Sequence, residues 1–187
     1  MRLWPGERLL SKHKANAIIT PSDYGLGRVP HGQLLHLVGM AGKEGLGGHL
    51  HVTSVRLVFK AHALNRLRGE LSTPLTNVKQ VEPYRNGLSI GAYVDTSAGK
   101  QQYVTWSRGA LVASVNQAKA AFGAEEARIL ANAASEASVR LDNLQRSGAM
   151  TALNAAVALF DMAGSVEDLN PLELMTLGAF SASEPNR

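Results

Sequence analysis

The groups in this chain best suited to chemistry are six histidines and a set of basic side chains near the N-terminal half. His49 and His51 stand two residues apart, which puts both imidazoles on one face of a strand. Such a pair has metal-ligand spacing. The sequence has no cysteine and places no carboxylate at ligand spacing beside them. Two neutral histidines on a sheet surface are therefore the better reading, and no metal or cofactor is expected. The other histidines, His13, His31, His36 and His62, form no recognisable ligand spacing. Gly42-Lys43-Glu44-Gly45-Leu46-Gly47-Gly48 invites a phosphate-loop reading and fails it. The earlier glycine is missing, and Lys43 is followed by an acid rather than a hydroxyl. There is no Gly-x-Ser-x-Gly elbow, and residues 1–123 hold only six carboxylates. No catalytic set can be assembled, so a non-enzymatic role is expected.

The basic residues offer a different chemistry. Lys12, Lys14, Lys60, Arg66 and Arg68, with Arg56 and His62 among them, gather around the opening strands and a hairpin. Near an anionic surface each Lys or Arg is worth about 1 kcal/mol. Lys12, Lys14, Lys60, Arg66 and Arg68 are the candidate ligand-binding residues, the ligand being an anionic lipid headgroup. The plain alternative is an ordinary solvated face. RNA or DNA fits less well, because few aromatic residues are interleaved with these charges.

The charge is unevenly spread. The chain carries a net +4, but residues 1–123 hold 15 basic and 6 acidic residues (+9) and residues 124–187 hold 4 and 9 (−5). That division suggests two units, 1–123 and 124–187, able to attract each other or a partner. The 187 residues are 45% hydrophobic, enough for a sizeable core. No run of about 18 apolar residues marks a membrane span. The first residues lack an apolar signal core, and the absence of cysteine fits a cytoplasmic location.

The elements that position these residues read as strands first and helices later. Leu50 and Val52 alternate with polar neighbours, and after Thr53-Ser54 the apolar phase shifts to Val55, Leu57 and Phe59. A shift by one residue exchanges the faces, so a tight hairpin at Thr53-Ser54 is expected. Residues 7–19 read as one or two opening strands. Residues 20–48 are rich in Gly and Pro around an apolar island at Leu34–Val38, with Gly39 to Gly48 reading as flexible, and this insertion is expected to carry either an extra strand or a mobile loop. Further short strands run to Trp106, and Asn86-Gly87 and Ala98-Gly99 mark turns. Ser107 reads as an N-cap for a helix carrying Leu111, Val112, Val115, Ala118 and Phe122. Leu50, Val52, Leu57, Phe59, Val78, Val81, Ile90, Trp106, Leu111 and Val115 are expected to line one core.

The segment G-G-x-L-x-V-T-x-x-R-L-V-F-K over Gly47–Lys60 resembles the signature hairpin of GRAM domains. So do Pro5-Gly6-Glu7, an A-N at Ala15-Asn16, and Pro74-Leu75 followed by Val78, Val81 and Glu82. The resemblance is to a bacterial-type GRAM domain and covers roughly residues 5–122. It implies a pleckstrin-homology-like fold of class α+β. The expected form is an antiparallel β-barrel with a capping helix, and GRAM-like domains mostly bind lipids or proteins.

Beyond it, Ala124 to Arg146 is helical in pattern, a second helix is expected over 151–162 and a short third over 172–177, with Ser181 to Arg187 frayed. Packing through Leu130, Leu141, Leu144, Leu153, Val157 and Phe160 is expected. The function this supports first is a scaffold with a protein partner, or with itself, through the helical tail. The alternative is peripheral binding to anionic membrane lipids through the basic face. A helper domain for an enzyme on another chain is a third possibility.

Overall fold

The computed structural model describes residues 1–20, 43–62, 67–87, 89–146 and 179–182. The expected hairpin is present. Strand β1 (Leu9–Ile19) pairs antiparallel with β2 (Glu44–Thr53), and β2 turns into β3 (Arg56–Ala61). The turn is fixed by one side chain. The Thr53 hydroxyl accepts hydrogen bonds from the backbone N–H groups of Val55 and Arg56 and donates to the Arg56 carbonyl. Strands β4 (Leu67–Pro74), β5 (Val78–Asn86), β6 (Ser89–Thr96) and β7 (Gly99–Val104) follow, with a 3-10 turn at Leu75–Asn77 between β4 and β5.

The sheet order is β5-β6-β7-β1-β2-β3-β4-β8, where β8 is Ala179–Ala182. The expected barrel is not closed: among the described residues no ladder joins β5 to the far edge. The sheet nonetheless curls strongly. Gln101 of β7 donates to Thr73 of β4 at 3.0 Å, although three strands lie between them, and the Phe59 and Tyr103 rings sit 5.8 Å apart. The inner face so enclosed holds Leu50, Val52, Leu57, Phe59, Val78, Val81, Val94 and Tyr103. Helix α1 (Arg108–Ala120) plugs the remaining opening with Leu111, Val115 and Ala118. This is the antiparallel sheet with a capping C-terminal helix expected for the α+β class.

Other expectations are met only in part. Trp106 is 88% exposed rather than in the core. Strand β7 ends at Val104, Thr105 takes the last inward place, and Trp106 falls in the turn before α1, one residue out of phase. Ile90 is only half-buried, while Ala92 and Val94 fill that stretch of core. Ser107 holds the N-cap position of α1 as expected, although its hydroxyl bonds His13 and Thr105 and makes no capping hydrogen bond. Of the two alternatives for the insertion, Glu44–Gly48 takes the strand, and Gly48 allows β3 to approach closely. A methyl group on Gly48 would sit 2.7 Å from the Phe59 ring.

The tail begins as expected with α2 (Ala124–Arg146). Its first turns are docked rather than free. Ile129 and Leu130 are buried, Ile129 lies against Gly6, and Arg8 pairs with Glu126 at 3.0 Å. The expected helices at 151–162 and 172–177 lie outside the described residues. Ser181, expected in a frayed end, belongs instead to β8, whose Ala179–Ala182 backbone pairs with Leu67–Glu70 of β4. The edge of β4 offers unpaired backbone groups, and a short antiparallel strand satisfies them.

Candidate binding face

Side chains alternate across a strand, so the residues between the core positions all meet on the outer face. The registers align them into two rungs. One runs Lys14–His49–Lys60–Glu70 across β1, β2, β3 and β4. The next runs Lys12–His51–Val58–Ser72. His62 follows β3, its N–H donating to the Gly47 carbonyl, and its ring meets His49 edge-on at 5.0 Å. The His49 and His51 rings are 6.2 Å apart.

Charge on this face is graded. Lys60 is paired with Glu70 at 3.2 Å, and Glu70 also takes the Met1 amine at 3.0 Å. Lys12 and Lys14 are exposed and have no ion-pair partner among the described residues. His49 titrates below its usual range, chiefly because its surroundings desolvate the charged ring, and then because Lys12, His62, His51 and Lys14 repel a further proton. Burial also lowers His51, although a hydrogen bond to the Val58 carbonyl opposes it. That carbonyl can only accept, so the His51 Nδ1 carries the proton and Nε2 is left to titrate.

Of the five candidate residues, Lys12, Lys14 and Lys60 share this face. Arg66 lies outside the described residues, as does the side chain of Arg68, whose backbone is in β4 opposite Ser181. Arg56, part of the same sequence cluster, is structural. Its guanidinium is buried against Glu7, with Nε to Oε1 at 2.8 Å and Nη2 to Oε2 at 2.9 Å. It also donates to Ser72 and to the Arg2 carbonyl, and the Trp4 ring lies 3.5 Å away. The N-terminal segment is thereby strapped over the outer face near the hairpin, where the outward-pointing Val58 is fully covered.

Sequence reasoning missed Trp106 as a surface group. The β1–β7 register pairs Asn16 with Val104, Thr105 donates to the Lys14 carbonyl, and Trp106 follows one residue after that contact. Its position just after a strand and just before a helix was the available signal. The described residues contain no cluster of three metal-ligating side chains. A cavity of about 430 Å³ opens beside β1 and β7. Part of its polar wall is engaged, with Gln101 bonded to Thr73 and Tyr103, Gln102 to Tyr84, and Lys100 to Asp95, and Thr20 and Lys43 also line it.

No family model and no curated protein matches this chain. Among solved structures it is similar to the C-terminal domain of an unknown protein from Leishmania infantum, at 15% identity and a TM-score of 0.42, over 62% of this chain and 86% of that one. It is also similar to the Vps36 N-terminal PH domain, at 16% identity and a TM-score of 0.40, over 63% and 83%. The chain's own strand order, curled antiparallel sheet and capping helix α1 make it an α+β domain of pleckstrin-homology-like form.

Proposed function

We propose that this chain is a non-enzymatic, GRAM-like binding module that docks on anionic membrane surfaces through the outer face of β1, β2 and β3. The observation that carries this reading is the two rungs that bring Lys12, Lys14, His49 and Lys60 onto one face, with Lys12 and Lys14 left un-neutralised. Trp106 adds an exposed indole one residue after Thr105, whose hydroxyl donates to the Lys14 carbonyl. Indole rings partition to the headgroup level of a bilayer, where an apolar body and a polar N–H are both accommodated. The GRAM-like assignment draws support from a contact between its two signature segments, Glu7 of Pro5-Gly6-Glu7 and Arg56 of the hairpin.

Co-sedimentation with phosphatidylserine-containing vesicles tests it. Wild type binds at low salt and is released as salt rises, because screening shortens the reach of the lysines. Lys12→Ala with Lys14→Ala weakens binding by about 2 kcal/mol and leaves the fold intact. No binding by wild type at low salt would refute the reading.

A second reading, self-association or protein docking through residues 124–187, draws on Val139, which is 54% exposed on α2. Light scattering checks it: a dimer that Val139→Glu dissolves supports it, and a monomeric wild type excludes self-association.

A further inference from the structure

We infer that the same outer face is graded by pH, with His49 and His62 as its added charges, so that its hold on a phosphate-bearing membrane surface tightens on mild acidification. This rests on the proposed anionic docking face and supplies its regulation.

The geometry is specific. His49 sits in the middle of the Lys14–His49–Lys60 rung, and His62 touches it edge-on. The charged and titratable groups facing His49 can all be named. Lys12 and Lys14 come from β1, His51 from its own strand, Lys60 and His62 from β3 and the residue after it, and Glu70 from β4. Only Glu70 is acidic, and it is occupied by Lys60 and the Met1 amine. No carboxylate is therefore placed to neutralise a protonated His49 from within the described residues. An external anion supplies what the face lacks.

Histidine is the side chain whose charge changes between about pH 5 and 8. At neutral pH the face presents Lys12 and Lys14 with His49 mostly neutral, since desolvation and the neighbouring cations hold the His49 proton off. An anionic surface brought against the face offsets that repulsion, raises the affinity of His49 for its proton and is bound more tightly in return. Binding and protonation are thermodynamically linked, so each must favour the other.

The test uses the full chain and phosphatidylcholine vesicles carrying phosphatidylserine, at about pH 7.5 and about pH 5.5. Wild type is expected to bind roughly thirtyfold more tightly at the lower pH, from two added surface charges. In His49→Gln with His62→Gln the ratio between the two pH values falls towards one. Calorimetry of wild type at about pH 6.5, in two buffers of different ionisation enthalpy, is expected to show proton uptake on vesicle binding. That measurement keeps the test decisive if the double variant folds poorly. Wild-type binding that is equal at both pH values, a ratio preserved in the double variant, or binding without proton uptake would each overturn the inference and leave the docking face standing. Absence of binding at both pH values would remove the docking face itself.

Discussion

Glu7 and Arg56, 49 residues apart in sequence, close on each other as a two-point buried ion pair beneath the Trp4 ring. Both are almost fully withdrawn from water. An Arg guanidinium suits this place because its planar fork matches a carboxylate and still has donors for Ser72 and the Arg2 carbonyl.

Arg56→Ala is expected to cost about 3–5 kcal/mol, because it strands the Glu7 carboxylate without its partner. Arg56→Lys keeps the charge but loses the fork, so a large part of that loss remains. Urea denaturation reads both. A loss under about 1 kcal/mol for Arg56→Ala would show that water reaches Glu7 and that the strap is loose.

Gly48 and Phe59 form a matched contact. Phe59→Ala is expected to cost about 3–5 kcal/mol through the cavity left in the core. Gly48→Ala should also destabilise, since its methyl would collide with the Phe59 ring and the β3 backbone. If Gly48→Ala is neutral on its own, the β2–β3 spacing is wrong as described. Partial recovery in Gly48→Ala with Phe59→Leu would confirm that the ring is what the methyl meets.

The core strands and both described helices were legible because period and turn chemistry agree there. The phase shift at Thr53-Ser54 forces the hairpin, and the Thr53 hydroxyl makes the turn that the shift requires. Trp106 was misread because bulk and apolarity argue for burial, while phase alone decides which way a residue at a strand end points. The Glu44–Gly48 strand was legible only as one of two alternatives because glycines that permit close packing look the same in sequence as glycines that permit bending. The basic face was half legible. Alternation puts Lys12 and Lys14 on one side, but no local pattern reveals that Lys60 is spoken for by Glu70, or that Arg56 is folded onto Glu7. The first exists once β3 and β4 come into register, and the second joins segments 49 residues apart.

Trp106→Ala is expected to change stability by less than about 0.5 kcal/mol, as a substitution at an exposed site. The same change should weaken binding to phosphatidylserine vesicles. Wild-type fluorescence should shift to the blue when vesicles are added, and the shift should vanish in the variant. A full shift remaining in Trp106→Ala would assign it to Trp4 and remove Trp106 from the docking face.

Folding stability is expected to fall on acidification. Burial lowers the proton affinity of His13, His49 and His51 in the folded chain. The unfolded chain therefore takes up protons first, as pH drops through about 6.5. Stability is complete above that value, declines as pH falls below it, and levels off once the folded-state histidines have also charged. Urea midpoints at about pH 7.5 and about pH 5.5 check the sign. A higher midpoint at the acid end would mean that these rings gain a partner on charging.

The Lys14–His49–Lys60 rung has one further consequence. Neighbouring strands stand about 4.8 Å apart, so the rung is a ruler with fixed graduations. A side chain on a loop can follow its ligand, whereas here the strand ladders fix the point from which each side chain starts, even though the lysine stems flex. A docking face of this kind would respond to areal charge density rather than to molecular shape. A sparse array of negative charges engages one graduation at a time, and a dense one engages several at once, so occupancy should climb steeply with surface charge and be indifferent to which headgroup supplies it.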